Sequence, residues 1–260
     1  WDFSTNHGLT HDRDALIQLG SDITSEFGDN YYSLASPTDI DSNVWTHFAL
    51  TRKPVTDYTS NLIGWWKFDG NTNDSSGNGN NGTLGDGSTA STYPTLTTDR
   101  YGLSNQAYSF DGGDYIDMGH ISSLNFERTD SFSLFAWINK ADTSSGFIVG
   151  QYNNTTNKGY DMWALGGGQV RVHLRNTTSY AIRVESPGII STDTWYYIGF
   201  TYDGSSSASG VKIYINGVLQ TVTVLDDDLD TGSIQSTDNK FMIGRRNNHS
   251  SYFNGSIDDV

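Results

Sequence analysis

The sequence predicts an all-β sandwich, and three observations carry that prediction. Helix formers are scarce: of 30 acidic residues only three are Glu (Glu26, Glu127, Glu185), and six Lys and ten Ala stand beside them, too few to sustain helices. Aromatic residues are plentiful, with 12 Phe, 15 Tyr and 7 Trp, which supply core mass and strand propensity. Short period-two segments recur along the chain, broken by Gly, Asn, Asp and Ser, at the spacing of a sandwich or barrel.

In chain order the period-two segments fall at 62–68, 106–110, 132–139, 146–151, 160–165, 169–175, 180–185, 195–202, 211–216, 218–224, 241–244 and 252–260. In the first of these, Trp66 and Phe68 point inward, and Trp65 shares the outer face with Lys67. Trp137 and Trp195 lie in apolar segments and are expected in the core. Within 169–175, Val170, Val172 and Leu174 share one face, while Arg171, His173 and Arg175 share the other. One face packs and the other meets solvent or a ligand. Asn216-Gly217 between two alternating runs is the strongest short-range hairpin signal in the chain.

The 260 residues contain no cysteine, so thiol catalysis, zinc–cysteine sites, iron–sulfur clusters and disulfides are excluded together. The net charge of −15, with only 15 Lys and Arg, leaves no basic footprint for nucleic acid or an anionic membrane. No apolar run exceeds five residues, so no segment is long enough to insert as a spanning helix. The chain opens at Trp1 and stops at Val260 in mid-pattern, which reads as a stretch cut from something longer.

Self-comparison reveals a repeat at an offset of 150. Ser36-Pro37, Trp45 and Thr51 match Ser186-Pro187, Trp195 and Thr201, and Phe48 and Leu50 meet Ile198 and Phe200. Residues 1–53 therefore read as an incomplete second copy, 54–61 as a linker, and 62–260 as the complete domain, clipped at its C-terminal end.

Seven segments then resemble a known family in both content and order. They are Leu62-Ile-Gly-Trp-Trp-Lys-Phe-Asp-Gly70, Asp74-Ser-Ser-Gly-Asn-Gly-Asn-Asn-Gly-Thr83, Tyr108-Ser-Phe-Asp-Gly112, Phe132-Ser-Leu-Phe-Ala-Trp-Ile138, Thr194-Trp-Tyr-Tyr-Ile198, Ile213-Tyr-Ile-Asn-Gly217 and Phe253-Asn-Gly-Ser-Ile-Asp-Asp-Val260. Across about 200 residues the chain resembles the concanavalin A-like, laminin-G-type jelly rolls. The resemblance implies a jelly-roll β-sandwich and favours glycans as partners.

Catalysis is not expected. Relatives that hydrolyse glycosides carry Glu-x-Asp-x-x-Glu on one strand, placing two acids within reach of one bond, and Glu127 and Glu185 have no such partners. Asp258 and Asp259 are adjacent, so on a strand they face opposite ways. No Gly-x-Ser-x-Gly elbow is present. The loop Asp69-Gly-Asn-Thr-Asn-Asp74 is dense in the oxygens that calcium prefers. The resemblance implies a cation between this loop and the last strand, which makes Asp69, Asn71, Asp74 and Asp258 the candidate calcium ligands. The alternative is that Asp69 and Asp74 only cap turns. The acidic run 226–230 reads as a solvated loop, and His7 and His11 as ordinary histidines. Arg171, His173 and Arg175, with Tyr160 as an aromatic neighbour, are the candidate sugar or anion site; the alternative is a plain solvent-facing strand.

These readings combine into a noncatalytic recognition or adhesion module of an extracellular, cell-surface or virion-associated protein. It would carry structural calcium and bind a glycan or surface polymer. A spacer in a repeat array and an accessory domain of a carbohydrate-active enzyme are the alternatives.

Overall fold

The computed structural model describes residues 61–177, 181–247 and 251–260, together with the backbone of three earlier strands. The chain divides into two units, 1–57 and 58–260. In the first, β1 (Ile17–Gln18), β2 (Asp22–Phe27) and β3 (Asn30–Ala35) form an antiparallel meander. In the register of β2 and β3, Phe27 pairs with Asn30 and Asp22 with Ala35. The segment 36–52 that matches the complete domain lies outside the described residues.

The second unit is a sandwich of two antiparallel sheets. The eight-stranded sheet runs in the order β16 (Thr223–Asp227), β12 (Ala181–Glu185), β11 (Val170–Arg175), β10 (Lys158–Ala164), β9 (Gly146–Asn153), β17 (Phe241–Ile243), β7 (Ile116–Asp117), β4 (Thr83–Leu84). The seven-stranded sheet runs β15 (Val218–Leu219), β14 (Val211–Ile215), β13 (Trp195–Tyr202), β8 (Phe132–Lys140), β18 (Asn254–Asp258), β6 (Ala107–Asp111), β5 (Thr95–Thr97). The chain crosses between sheets repeatedly, so residues far apart in sequence become lateral neighbours.

Alternation explains why these strands pack as they do. Ala136 and Ile138 of β8 and Ile198 and Phe200 of β13 meet Met162, Val172, Leu174, Ile182 and Val184 of the other sheet, and all nine are fully buried. Burying one such aliphatic or aromatic side chain contributes about 1.5–3 kcal/mol. Trp66 and Phe68 join this core, with Trp66 stacked on Phe241 at 5.4 Å and Phe68 edge-on to Tyr108 at 5.2 Å. The hairpin at Asn216-Gly217 forms with both residues at positive φ, 51° and 77°. That is the turn whose twist matches its flanking strands.

Three readings of the sequence are corrected. Segment 62–68 is not a strand: Phe68 turns to φ 60°, and its backbone pairs with the chain's end through two bonds between Trp66 and Val260, at 2.9 and 3.0 Å. Segment 218–224 is two strands rather than one, because β15 closes one sheet and β16 begins an edge of the other. Trp137 and Trp195 are half-buried on the outer face of the seven-stranded sheet, since they alternate with Ile138 and Ile198, which hold the core positions.

Candidate functional site

β10 and β11 pair so that Tyr160 faces Leu174, Asp161 faces His173, Met162 faces Val172 and Trp163 faces Arg171. A strand alternates its side chains, so Tyr160, Met162, Val172 and Leu174 enter the core, while Asp161, Trp163, Arg171 and His173 line the outer face. Tyr160 therefore does not join the predicted arginine–histidine group. It is 2 % exposed, donates its hydroxyl to Leu124 O at 2.8 Å, and packs on Phe132 at 4.7 Å.

Arg171, His173 and Arg175 do share one face, and each has a different environment. Arg171 is held by Glu185 on β12. His173 sits under the surface, with Nδ1 2.5 Å from Oδ1 of Asp161, which is itself wholly buried. The second oxygen of Asp161 lies 3.3 Å from an Nη of Arg246. The Arg246 guanidinium stacks 3.6 Å above the Tyr152 ring and 5.6 Å from Trp163. Burial pushes the His173 imidazole below its usual pKa; Asp161 opposes that and Arg175 and Arg246 reinforce it. Burial alone would raise Asp161, but His173, Arg246 and Arg175 hold it below the usual carboxylate range. The neutral imidazole and the ionised carboxylate therefore coexist at neutral pH.

Beside this cluster the outer face opens into a polar groove of about 420 Å³. Asn153, Thr155, Thr156, Asn247 and Asp238 supply hydrogen-bonding groups along it, with Tyr115 and Met242 as apolar wall. Arg245 borders it, stacked on Tyr115 at 4.1 Å. Of the groove's carboxylates, Asp117 is paired with Lys240 at 2.5 Å, and Asp86 accepts from Ser88 and Thr89 in its own turn. A larger depression of about 660 Å³ lies against the other sheet, lined by Trp65, Phe135, Trp137 and Tyr197 among others. Its rings face one another, Phe135 to Tyr197 at 5.4 Å and Trp137 to Tyr197 at 5.3 Å.

The four predicted calcium ligands are organised otherwise. Asp69 and Asn71 are exposed, and Asn71 builds a local turn, accepting from Asn73 N and donating to Asp69 O. Asp74 spends both carboxylate oxygens on backbone N–H groups: Oδ1 on Trp65 and Ser76, Oδ2 on Asn80. Asp258 is 2 % exposed and receives Arg100 Nη1 at 2.5 Å, while Arg100 Nη2 reaches Asp259 at 2.7 Å. Asp259 also accepts from Trp65 Nε1 at 3.2 Å. The two aspartates converge, contrary to the alternation argument, because β18 ends at Asp258 and Asp259 turns to φ 44°. The Arg100 guanidinium lies between the rings of Tyr101, at 4.5 Å, and Trp137, at 4.8 Å.

Residues 110–260 match the laminin-G-type profile described as the concanavalin A-like lectin/glucanases superfamily. The chain belongs to that superfamily. The binding domain of Paraclostridial Mosquitocidal Protein 1 shares its fold, with a TM-score of 0.52 and 16 % identity over 72 % of this chain and 45 % of that one. So does botulinum neurotoxin type C, whose cell entry depends on two ganglioside molecules, with a TM-score of 0.50 and 19 % identity over 76 % of this chain and 46 % of that one. The chain thus spans less than half the length of either toxin chain, and at these identities the likeness is one of fold. No curated protein sequence matches it.

Within this concanavalin A-like domain, Asp69, Asn71, Asp74 and Asp258 do not fit a calcium ion. The oxygens of Asp74 accept three backbone N–H groups, and Asp258 already has the Arg100 guanidinium as its cation. Among the described residues no group of three or more His, Asp or Glu side chains is placed to hold a metal. Sequence reasoning also missed Asp161, Trp163, Tyr152, Arg245 and Arg246. Asp161 and Trp163 were legible as alternation partners within β10. Tyr152, Arg245 and Arg246 needed the order of strands across the sheet.

Proposed function

We propose that residues 62–260 form a noncatalytic carbohydrate-binding module of an extracellular, cell-surface or virion-associated protein, used for recognition or adhesion. The observation that carries this reading is the polar groove on the outer face of the eight-stranded sheet. Amide, hydroxyl and carboxylate groups on a rigid strand scaffold match the mixed donor and acceptor pattern of a saccharide, and a partly apolar wall beside them suits a sugar's C–H face. Membership of a lectin/glucanase superfamily supports the same ligand class. The reading is noncatalytic because hydrolysis needs two free carboxyl groups about 5–10 Å apart, and Asp117 and Asp86 are engaged by Lys240 and by their own turn. Residues 1–53 are read as an incomplete copy of the same domain and 54–61 as its linker, on the strength of the sequence repeat.

A glycan array probed with the whole chain tests the reading. Binding is expected to concentrate on a restricted set of saccharides and to fall in Asn247→Ala and Thr156→Ala with the melting temperature retained. A chain that binds no saccharide is a spacer of the repeat array, and the reading then fails.

A further inference from the structure

The charge balance of the outer face carries a sharper statement about the ligand, and it rests on the glycan-binding reading. The chain has nine Arg and six Lys against 30 Asp and Glu, so carboxylate partners are plentiful; Arg128 instead donates to the Ser206 hydroxyl at 2.7 Å. Arg171, Arg183 and Arg100 each have a carboxylate partner: Glu185 for the first, Asp226 at 2.9 Å for the second, and Asp258 with Asp259 for the third. Arg175, Arg245 and Arg246 are different. Among the described residues these three have one ion-paired carboxylate between them, Asp161 with Arg246, and the other oxygen of Asp161 is taken by His173. Around Asp161 the guanidinium groups thus outnumber the carboxylates, while the adjoining groove holds Asp86, Asp117 and Asp238 beside Lys240 and Arg245.

Hydrogen bonding points the same way. Trp163 Nε1, Arg175 Nε, Arg245 Nε and Arg246 Nε are buried nitrogens that find no acceptor among the described residues. Asp161 Oδ2 faces Arg246 Nη2 at 3.3 Å, which leaves His173 Nε2 as the unmatched acceptor of the cluster among the described residues, so N–H donors outnumber acceptors. Neutral sugar hydroxyls bring a donor with every acceptor and leave that imbalance in place, whereas a carboxylate or sulfate group only accepts. The guanidinium planes are also held in position, Arg246 by Tyr152 and Trp163, and Arg245 by Tyr115 and, at 5.8 Å, Tyr252. Stacking fixes the plane of each of these two guanidinium groups and so the direction of its N–H groups, and a planar guanidinium matches an anionic oxygen pair.

We propose that Arg175, Arg245 and Arg246 recognise an anionic oxygen group, a carboxylate or a sulfate ester, carried by a saccharide lying in the adjoining groove. The site is specific for acidic glycans, and the arginines select the acidic member from otherwise identical sugars.

The test is an array in which each neutral glycan is paired with its carboxylated and its sulfated counterpart, probed with the whole chain. Acidic members are expected to bind at least about tenfold tighter than their neutral pairs, the lower end of what a charge-assisted hydrogen bond contributes. The advantage should shrink as sodium chloride is raised, and the two acidic arms show whether carboxylate or sulfate is preferred. Arg175→Gln and Arg245→Gln remove the preference with the melting temperature held, and Arg245→Lys restores part of it. Arg246 is left unaltered because it balances buried Asp161. Equal binding of neutral and acidic members overturns the inference and leaves the glycan reading standing. Binding of no member overturns both.

Discussion

Asp258 and Asp259 share one guanidinium, so their cluster is one positive charge short. The deficit falls on the more buried acid, because the Asp258 side chain is 3 % exposed and that of Asp259 is 25 % exposed. Burial, and after it the charge of Asp259, push the Asp258 carboxyl up from an ordinary 3.8 to about 7, with Arg100 opposing. Between those values the folded chain holds a proton that the unfolded chain has released. Stability from this group is therefore complete below the unfolded value and is lost as pH rises through the folded one. A span of about three pH units corresponds to roughly 4 kcal/mol. Asn at position 258 resembles the protonated acid and cannot ionise. Asp258→Asn should accordingly match the parent near pH 4 and exceed it by up to about 4 kcal/mol at pH 8. For a domain of this size that is on the order of 8–16 °C in Tm. Thermal melts of both proteins from pH 4 to 8 measure it, and the difference between them cancels every other titrating group. A variant less stable than the parent by about 3–5 kcal/mol at pH 8, the cost of breaking a buried ion pair, would refute the argument. Asp258 would then be an ionised partner of Arg100 throughout.

Three other outcomes are expected. Asp74→Ala strips the acceptor from three backbone N–H groups, those of Trp65, Ser76 and Asn80. It should cost about 2–3 kcal/mol by urea unfolding, and a cost below about 0.5 kcal/mol would show that the loop holds itself. Hydrogen bonds lower the Asp74 pKa against the effect of burial, so this contribution is present above the unfolded value and fades as pH falls toward the folded one. Gly199→Ala places a methyl 2.1 Å from the Phe135 ring and 2.5 Å from Leu134 O. That overpacking should cost about 1–3 kcal/mol, and an unchanged melting curve would mean that the outer aromatic layer yields freely. Calcium added to chelated protein should leave Tm unmoved, whereas a rise of about 5 °C, equivalent to roughly 2 kcal/mol, would restore a metal to the terminal loops.

Where both faces of a strand were written in its own residues, the sequence was enough. β13 falls at 195–202 as expected and β8 runs one residue beyond 132–139, because Ile198, Phe200, Ala136 and Ile138 alternate cleanly with outward residues. β4, β5 and β7 were invisible, since two or three residues carry no period. Tyr160 was assigned to the wrong group because its face depends on which residue of β11 lies opposite, and that residue is Leu174. Asp258 and Asp259 were separated by a rule that holds only inside a strand, and Asp259 lies just past the end of one. Arg100 stands 158 residues before Asp258, so no local pattern could name it as the cation of that cluster.

The two arginine clusters of this domain differ in the ratio of acids to guanidinium groups, and that ratio decides their roles. At the terminal clamp two carboxylates meet one guanidinium, and the shortfall is relieved by a proton that Asp258 takes up as pH falls below about 7. On the outer face of the eight-stranded sheet Arg175, Arg245 and Arg246 have one ion-paired carboxylate among the described residues, Asp161, and burial holds His173 below its usual pKa, so the group the arginines lack is an anion. A proton cannot correct an excess of positive charge, and arginine does not release its own in this environment. The remaining correction is an acceptor from outside the chain, which is why the argument for a ligand attaches to the face carrying Arg175, Arg245 and Arg246, and does not extend to Arg100.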